Sequence, residues 1–185
     1  MNITRTAITR SLIVAALAGA VPVATATTSA QAAPYCGITW GSLAKTKAPL
    51  QAGPVMVVRS GRHACFDRLV VDLKGKAPGY TVRYVTQVTA DGSGNVIPTR
   101  GGAKLQLTVN APAYTPAGTA SFTPKNRSEV VNVTGYSTFR QVVWAGSFEG
   151  YTSMGLGVRA RLPFRTFTIQ DATGSRLVID VAHRW

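Results

Sequence analysis

The sequence predicts an all-β protein, an antiparallel β-sandwich of two sheets, and three observations carry that expectation. Short segments rich in Val, Thr, Tyr and Phe alternate apolar and polar residues. Gly and Pro punctuate them at intervals too short for helices, and no stretch shows a sustained helical stripe. Roughly eight or more such strands fit between residue 55 and the last residue, enough for a sandwich of two sheets.

Residues 1–32 come first and stand apart. Arg5 and Arg10 precede an apolar run from Leu12 to Ala20, and small and polar residues follow to Ala30, Gln31 and Ala32. This is the order of a secretory signal peptide, with cleavage expected between Ala32 and Ala33 because the site reader accepts only small side chains. A membrane anchor needs about 20 consecutive apolar residues. Pro22, Thr25, Thr27, Thr28 and Ser29 interrupt the run too early. Neither an Arg-Arg pair before the run nor a cysteine placed for lipidation is present, so a secreted protein, extracellular or associated with the cell wall, is expected, without a transmembrane segment in its mature chain.

Removing the signal takes two arginines and no acid. Of 20 Lys and Arg, 18 remain against 7 Asp and Glu, so the net charge falls from +13 to +11. A surplus this large in an exported chain favours acidic polymers such as wall polysaccharide, lipid headgroups or nucleic acid, though it also serves plain solubility.

Residues 33–54 hold Pro34, Pro49 and Pro54 with scattered Lys and Gly and read as an irregular lead-in, in which a short helix within 40–52 is allowed. Cys36 in this segment and Cys65 beyond it are the only cysteines. An even pair in an oxidising compartment reads as one disulfide. Closing a loop of about 29 residues, it would stabilise the fold by at most roughly 3 to 4 kcal/mol.

From residue 55 the alternation can be counted. Tyr80, Val82, Tyr84, Thr86 and Val88 share one parity, and Leu105, Leu107 and Val109 another run of it; within Thr152 to Leu162, Met154, Leu156, Val158, Ala160 and Leu162 do the same. Successive strand side chains point to opposite faces, so each segment offers one face to a core and one to water. Asp91 to Asn95 and Glu149-Gly150 read as turns, the latter after a strand from Phe139 to Phe148, and the Pro-rich stretch 111–124 reads as a long loop with room for a short helix in 111–120.

Arg68-Leu69-Val70-Val71-Asp72-Leu73 and Arg176-Leu177-Val178-Ile179-Asp180-Val181 echo each other. The Arg and Asp could form a charged binding strip, but a pair of strands with Arg and Asp matched on a solvated face explains the echo better.

Catalytic chemistry has few parts to draw on. His63 and His183 are the only histidines, there is no G-x-S-x-G elbow, and most of the acids sit at turns or beside arginines, so no catalytic residue, metal site or cofactor is assigned. Asp91, Ser93 and Asn95 imitate the opening of a calcium loop, but Val96 and Gly102 stand where a Gly and a bidentate Glu are wanted. Gly155-Leu156-Gly157 lacks the strand-to-helix setting of a dinucleotide site.

The remaining candidate is Arg159 with Arg161. Their parity opposes Met154, Leu156 and Val158, so on a continuing strand they project from one side, above the floor left by Gly155 and Gly157. There they would bind a sugar or peptide through guanidinium forks. Alternatively the two glycines admit a neighbouring side chain such as Trp144 or Tyr151.

Phe66-Asp67-Arg68-Leu69-Val70, Pro78-Gly79-Tyr80, Asp91-Gly92-Ser93-Gly94, Phe148-Glu149-Gly150, Gly155-Leu156-Gly157 and Leu162-Pro163-Phe164-Arg165, closing in Arg176 to Val181, together resemble the AMIN-like group of secreted bacterial proteins. The resemblance covers residues 55–185 and implies a two-sheet β-sandwich. It also implies kinship with AMIN domains, non-catalytic targeting modules of cell-wall amidases and secretion machinery, some of which bind peptidoglycan. No enzyme domain is expected after His183-Arg184-Trp185. The expected function is a non-catalytic cell-envelope binding domain for peptidoglycan or an anionic wall polymer. A wall-polymer hydrolase and a soluble partner of another exported protein are the alternatives.

Overall fold

The computed structural model describes residues 35–185; the expected signal peptide lies outside them. After a short 3-10 turn at Tyr35–Gly37 come eleven strands and, among the described residues, no α-helix. They are β1 (Lys45–Lys47), β2 (Val55–Arg62), β3 (Phe66–Leu73), β4 (Tyr80–Val85), β5 (Val88–Thr89), β6 (Val96–Ile97), β7 (Ala103–Val109), β8 (Phe139–Phe148), β9 (Tyr151–Val158), β10 (Phe164–Gln170) and β11 (Ser175–Ala182).

Two antiparallel sheets pack as a sandwich, one in the order β1-β4-β7-β9-β8 and the other β10-β11-β3-β2. The counted parity sets what lies between them. Val82, Leu105, Leu107, Met154 and Leu156 from the first sheet meet Leu69, Val71, Leu177, Ile179 and Phe164 from the second, all fully buried. Removing water from this apolar surface is the main force holding the layers together.

The lead-in is less irregular than its composition suggests. Residues 45–47 form β1 against β4, and neither segment allowed a short helix forms one. The strand predicted to run on from Tyr80 instead bends at residues 86–87. It then continues into the β5–β6 hairpin, which lies on the far side of the five-stranded sheet, where Val88 packs with Val143 and Ala145 in a second, smaller core. Glu149 and Gly150 join β8 to β9 with φ of 48° and 83°, the left-handed pair that a two-residue hairpin requires. The long segment 111–138 is irregular, with one bridge between Tyr114 and Ala120, and it covers the free edge of β8 through Trp144 N to Arg127 O and Val130 N to Val142 O. An edge strand is thereby protected from pairing with another chain.

The echoed segments are β3 and β11, neighbours in the middle of their sheet, with Arg68 opposite Asp180 and Asp72 opposite Arg176.

Candidate functional site

The arginines fall into two populations that differ in what holds them. On the outer face of the four-stranded sheet they are held by carboxylates. Arg68 makes a two-pronged pair with the fully buried Asp180 at 2.6 and 2.8 Å, and Arg165 reaches the same carboxylate at 2.9 Å. Arg165 also lies over Trp40, 4.4 Å from the ring centre, and over Phe167 at 5.1 Å. Further along this face Arg59 grips Asp72 at 2.6 and 3.0 Å. Hydrogen bonds to their carboxylates hold the guanidinium pKa values of Arg59 and Arg68 above the ordinary arginine value.

The expectation of Arg and Asp matched across the echo is therefore met on one side only. Arg68 pairs with Asp180, but under cover rather than on a solvated face. Arg176, although opposite Asp72, turns instead to Asp171, because Arg59 on β2 already occupies Asp72.

The second population sits at one end of the sandwich, where β2, β9 and β11 finish and β3, β8 and β10 begin. Buried Asp67 ties the two sheets there: one oxygen accepts from Thr138 N and Phe139 N at 2.6 and 3.0 Å, and the other meets His183 Nε2 at 3.2 Å. Around it the arginines rest mainly on neutral main-chain carbonyls. Arg62 donates to Gly135 O, Arg159 to His183 O, and Arg140 to the carbonyls of Tyr136, Ser137 and Phe139. Arg161 donates to Ser42 Oγ and Ser42 O and lies 4.9 Å over Tyr84; Arg184 lies 5.1 Å over Tyr35. Among the described residues, only Arg100 of the arginines at this end finds an acid, Glu129. A carbonyl fixes a guanidinium in place without cancelling its charge, so this end presents oriented donors and a net positive field.

Arg159 and Arg161 belong to this end, but not as the sequence parity suggests. Strand β9 stops at Val158, so both follow it in a bend instead of projecting from one strand face. The glycine floor is filled as well. A Cβ on Gly155 would come within 2.7 Å of Val88 and Val143 side chains, and one on Gly157 would collide with the Arg100 carbonyl. The hairpin β5–β6 and the turn after it cover those glycines, and neither Trp144 nor Tyr151 does so.

Cys36 and Cys65 are joined in a disulfide. It fastens the lead-in to the turn between β2 and β3, and the lead-in then supplies Trp40 to Arg165, Gly41 O to Phe164 N and Ser42 to Arg161.

The sequence reading missed Arg62, Arg100, Arg140 and Arg184 as companions of Arg159 and Arg161. They come from four separated stretches, and only the sheet register gathers them. A family model, the AMIN-like domain, matches residues 53–183. No curated protein matches the chain.

Proposed function

Since the chain belongs to the AMIN-like domain family, we propose that it is an exported, non-catalytic domain that attaches to peptidoglycan or to an anionic polymer of the cell wall through the arginine-rich end of its sandwich. The observation that carries this reading is the anchoring of Arg62, Arg140, Arg159 and Arg161 on neutral acceptors. They stay charged and pre-aimed, so carboxylates or phosphates on a polymer meet donors whose rotamer freedom is already reduced.

Purified cell walls, intact or stripped of their anionic polymers, provide the test in a sedimentation assay across a salt series. The protein should sediment with intact walls, release as salt screens the surface charge, and liberate no soluble fragments. The double substitution Arg159→Gln with Arg161→Gln should weaken sedimentation several-fold and flatten its salt dependence. A folded double variant that sediments as well as the parent at every salt concentration would remove these two residues from the site. Absence of sedimentation by the parent would remove the function.

A further inference from the structure

Between the turn that carries Arg100 and the segment leading into β8 lies a polar cleft of about 320 Å³, lined by Arg100, Glu129, Thr134, Gly135, Tyr136 and Arg140 among others. Its construction is unusual for a surface ion pair. Arg100 forms an ion pair with Glu129, Nη2 to Oε1 at 2.5 Å, and donates to Arg140 O at 3.1 Å. Beneath it the buried side chain of Gln141 holds the two backbones that carry the pair: its Oε1 accepts from the main-chain Arg100 N, and its Nε2 donates to the carbonyl of Ser128, next to Glu129. Val130 N to Val142 O locks the other side of Glu129. The two backbones are thus fixed relative to each other, while an exposed ion pair by itself adds little to stability, which turns attention to what the pair meets.

The charges in the cleft decide what that is. Arg140 is held by three carbonyls, so the cleft has two guanidiniums to one carboxylate. A simple phosphate or carboxylate would lie against Glu129, and a simple amine against two arginines. A ligand carrying both signs on neighbouring atoms matches each. The volume is at the small end for a ligand site, suited to one amino-acid group rather than a sugar chain.

We propose that this cleft binds the zwitterionic end of an amino acid or peptide, its ammonium against Glu129 and its carboxylate against Arg100 and Arg140. The inference rests on the wall-binding reading for the natural source of that group, a free amino-acid end on a wall peptide.

The test is an amide NMR titration of the protein with 2,6-diaminopimelate, which carries two free amino-acid ends, and with its N-acetylated and methyl-ester forms. The free compound should shift the Glu129, Gly135 and Arg140 amides saturably, and blocking either group should weaken binding by about tenfold or more. Glu129→Gln should abolish discrimination against the N-acetylated form, and Arg100→Gln discrimination against the ester. Equal binding of free and N-acetylated probes, or no saturable shift at these amides, overturns the proposal. Wall sedimentation that persists while the probe fails sinks only this inference. Probe binding without wall sedimentation sinks only the polymer reading.

Discussion

The outer face of the four-stranded sheet and the end of the sandwich use the same side chain for opposite purposes. On the face, Arg68 and Arg165 converge on Asp180, and Arg59 closes on Asp72, so charge is consumed within the fold. At the end, Arg62, Arg140 and Arg159 settle on backbone carbonyls and their charge stays available. What surrounds an arginine thus says more about its role than how many arginines there are. Of the seven acids, Asp67, Asp72, Asp171, Asp180 and Glu129 are hydrogen-bonded or paired within the fold, and of these only Asp67 and Glu129 lie at the arginine-rich end, against six arginines there.

The most disruptive way to break this contrast is to cut the clasp that serves both populations. The disulfide holds Tyr35 near Arg184 and Ser42 against Arg161 at the end, and Trp40 over Arg165 on the face. Replacing Cys36 and Cys65 by Ser should cost up to about 3 kcal/mol in urea unfolding. It should also expose Trp40, read as a red shift of tryptophan fluorescence in the folded baseline. Unchanged stability would mean that the lead-in holds without it.

Next in size comes Asp180→Ala, which leaves Arg68 and Arg165 without their shared acid. Both guanidiniums keep partial access to water, so about 2 to 3 kcal/mol is expected instead of the full cost of an orphaned buried charge. The same measurement on Arg159→Gln with Arg161→Gln should move stability by less than about 0.5 kcal/mol, because exposed side chains on carbonyls contribute little. If the two experiments gave equal losses, the distinction between face and end would fail.

The finest test concerns Asp171, which Thr173 and then Arg176 hold below the ordinary carboxylate range, at about 2. A depressed folded pKa contributes stability above the unfolded value of 3.8 and loses it as pH falls from there through about 2. Carboxyl NMR should place the Asp171 midpoint near 2, and Thr173→Ala should raise it, since the Thr173 hydroxyl bond is the largest cause. A midpoint that stays put in the variant would transfer the effect to Arg176.

The fold was legible wherever parity was strict. Leu105, Leu107 and Val109 could be assigned to the core by alternation alone, and Phe139–Phe148 with its Glu149-Gly150 turn follows the expected boundaries. Parity failed where a strand stopped. Nothing local distinguishes Ala160 and Leu162 from the alternating residues before them, yet the chain bends after Val158 because Arg159 N pairs with Thr138 O outside the sheet ladder. The glycines misled for a related reason: a missing side chain marks close approach, but not whether ligand or protein approaches. The site itself was only partly legible. Arg159 and Arg161 stood out by spacing, whereas Gln141 gave no signal, being an ordinary polar residue whose two contacts lie 13 and 41 residues away.

The echo between β3 and β11 also bears on the order of folding. These strands lie at the centre of their sheet, yet the bond from Arg68 to Asp180 spans 112 residues. The β2–β3 hairpin therefore waits, with one edge open, until nearly the whole chain has been delivered, and such long-range closure makes folding slow. During that wait the echo is a hazard. An edge that pairs antiparallel with Arg176 to Val181 is equally complementary to a second copy of itself, Arg68 of one chain facing Asp72 of the other. Closure by β11 removes that open edge, so the last long strand of the chain also guards the fold against pairing with a neighbour's.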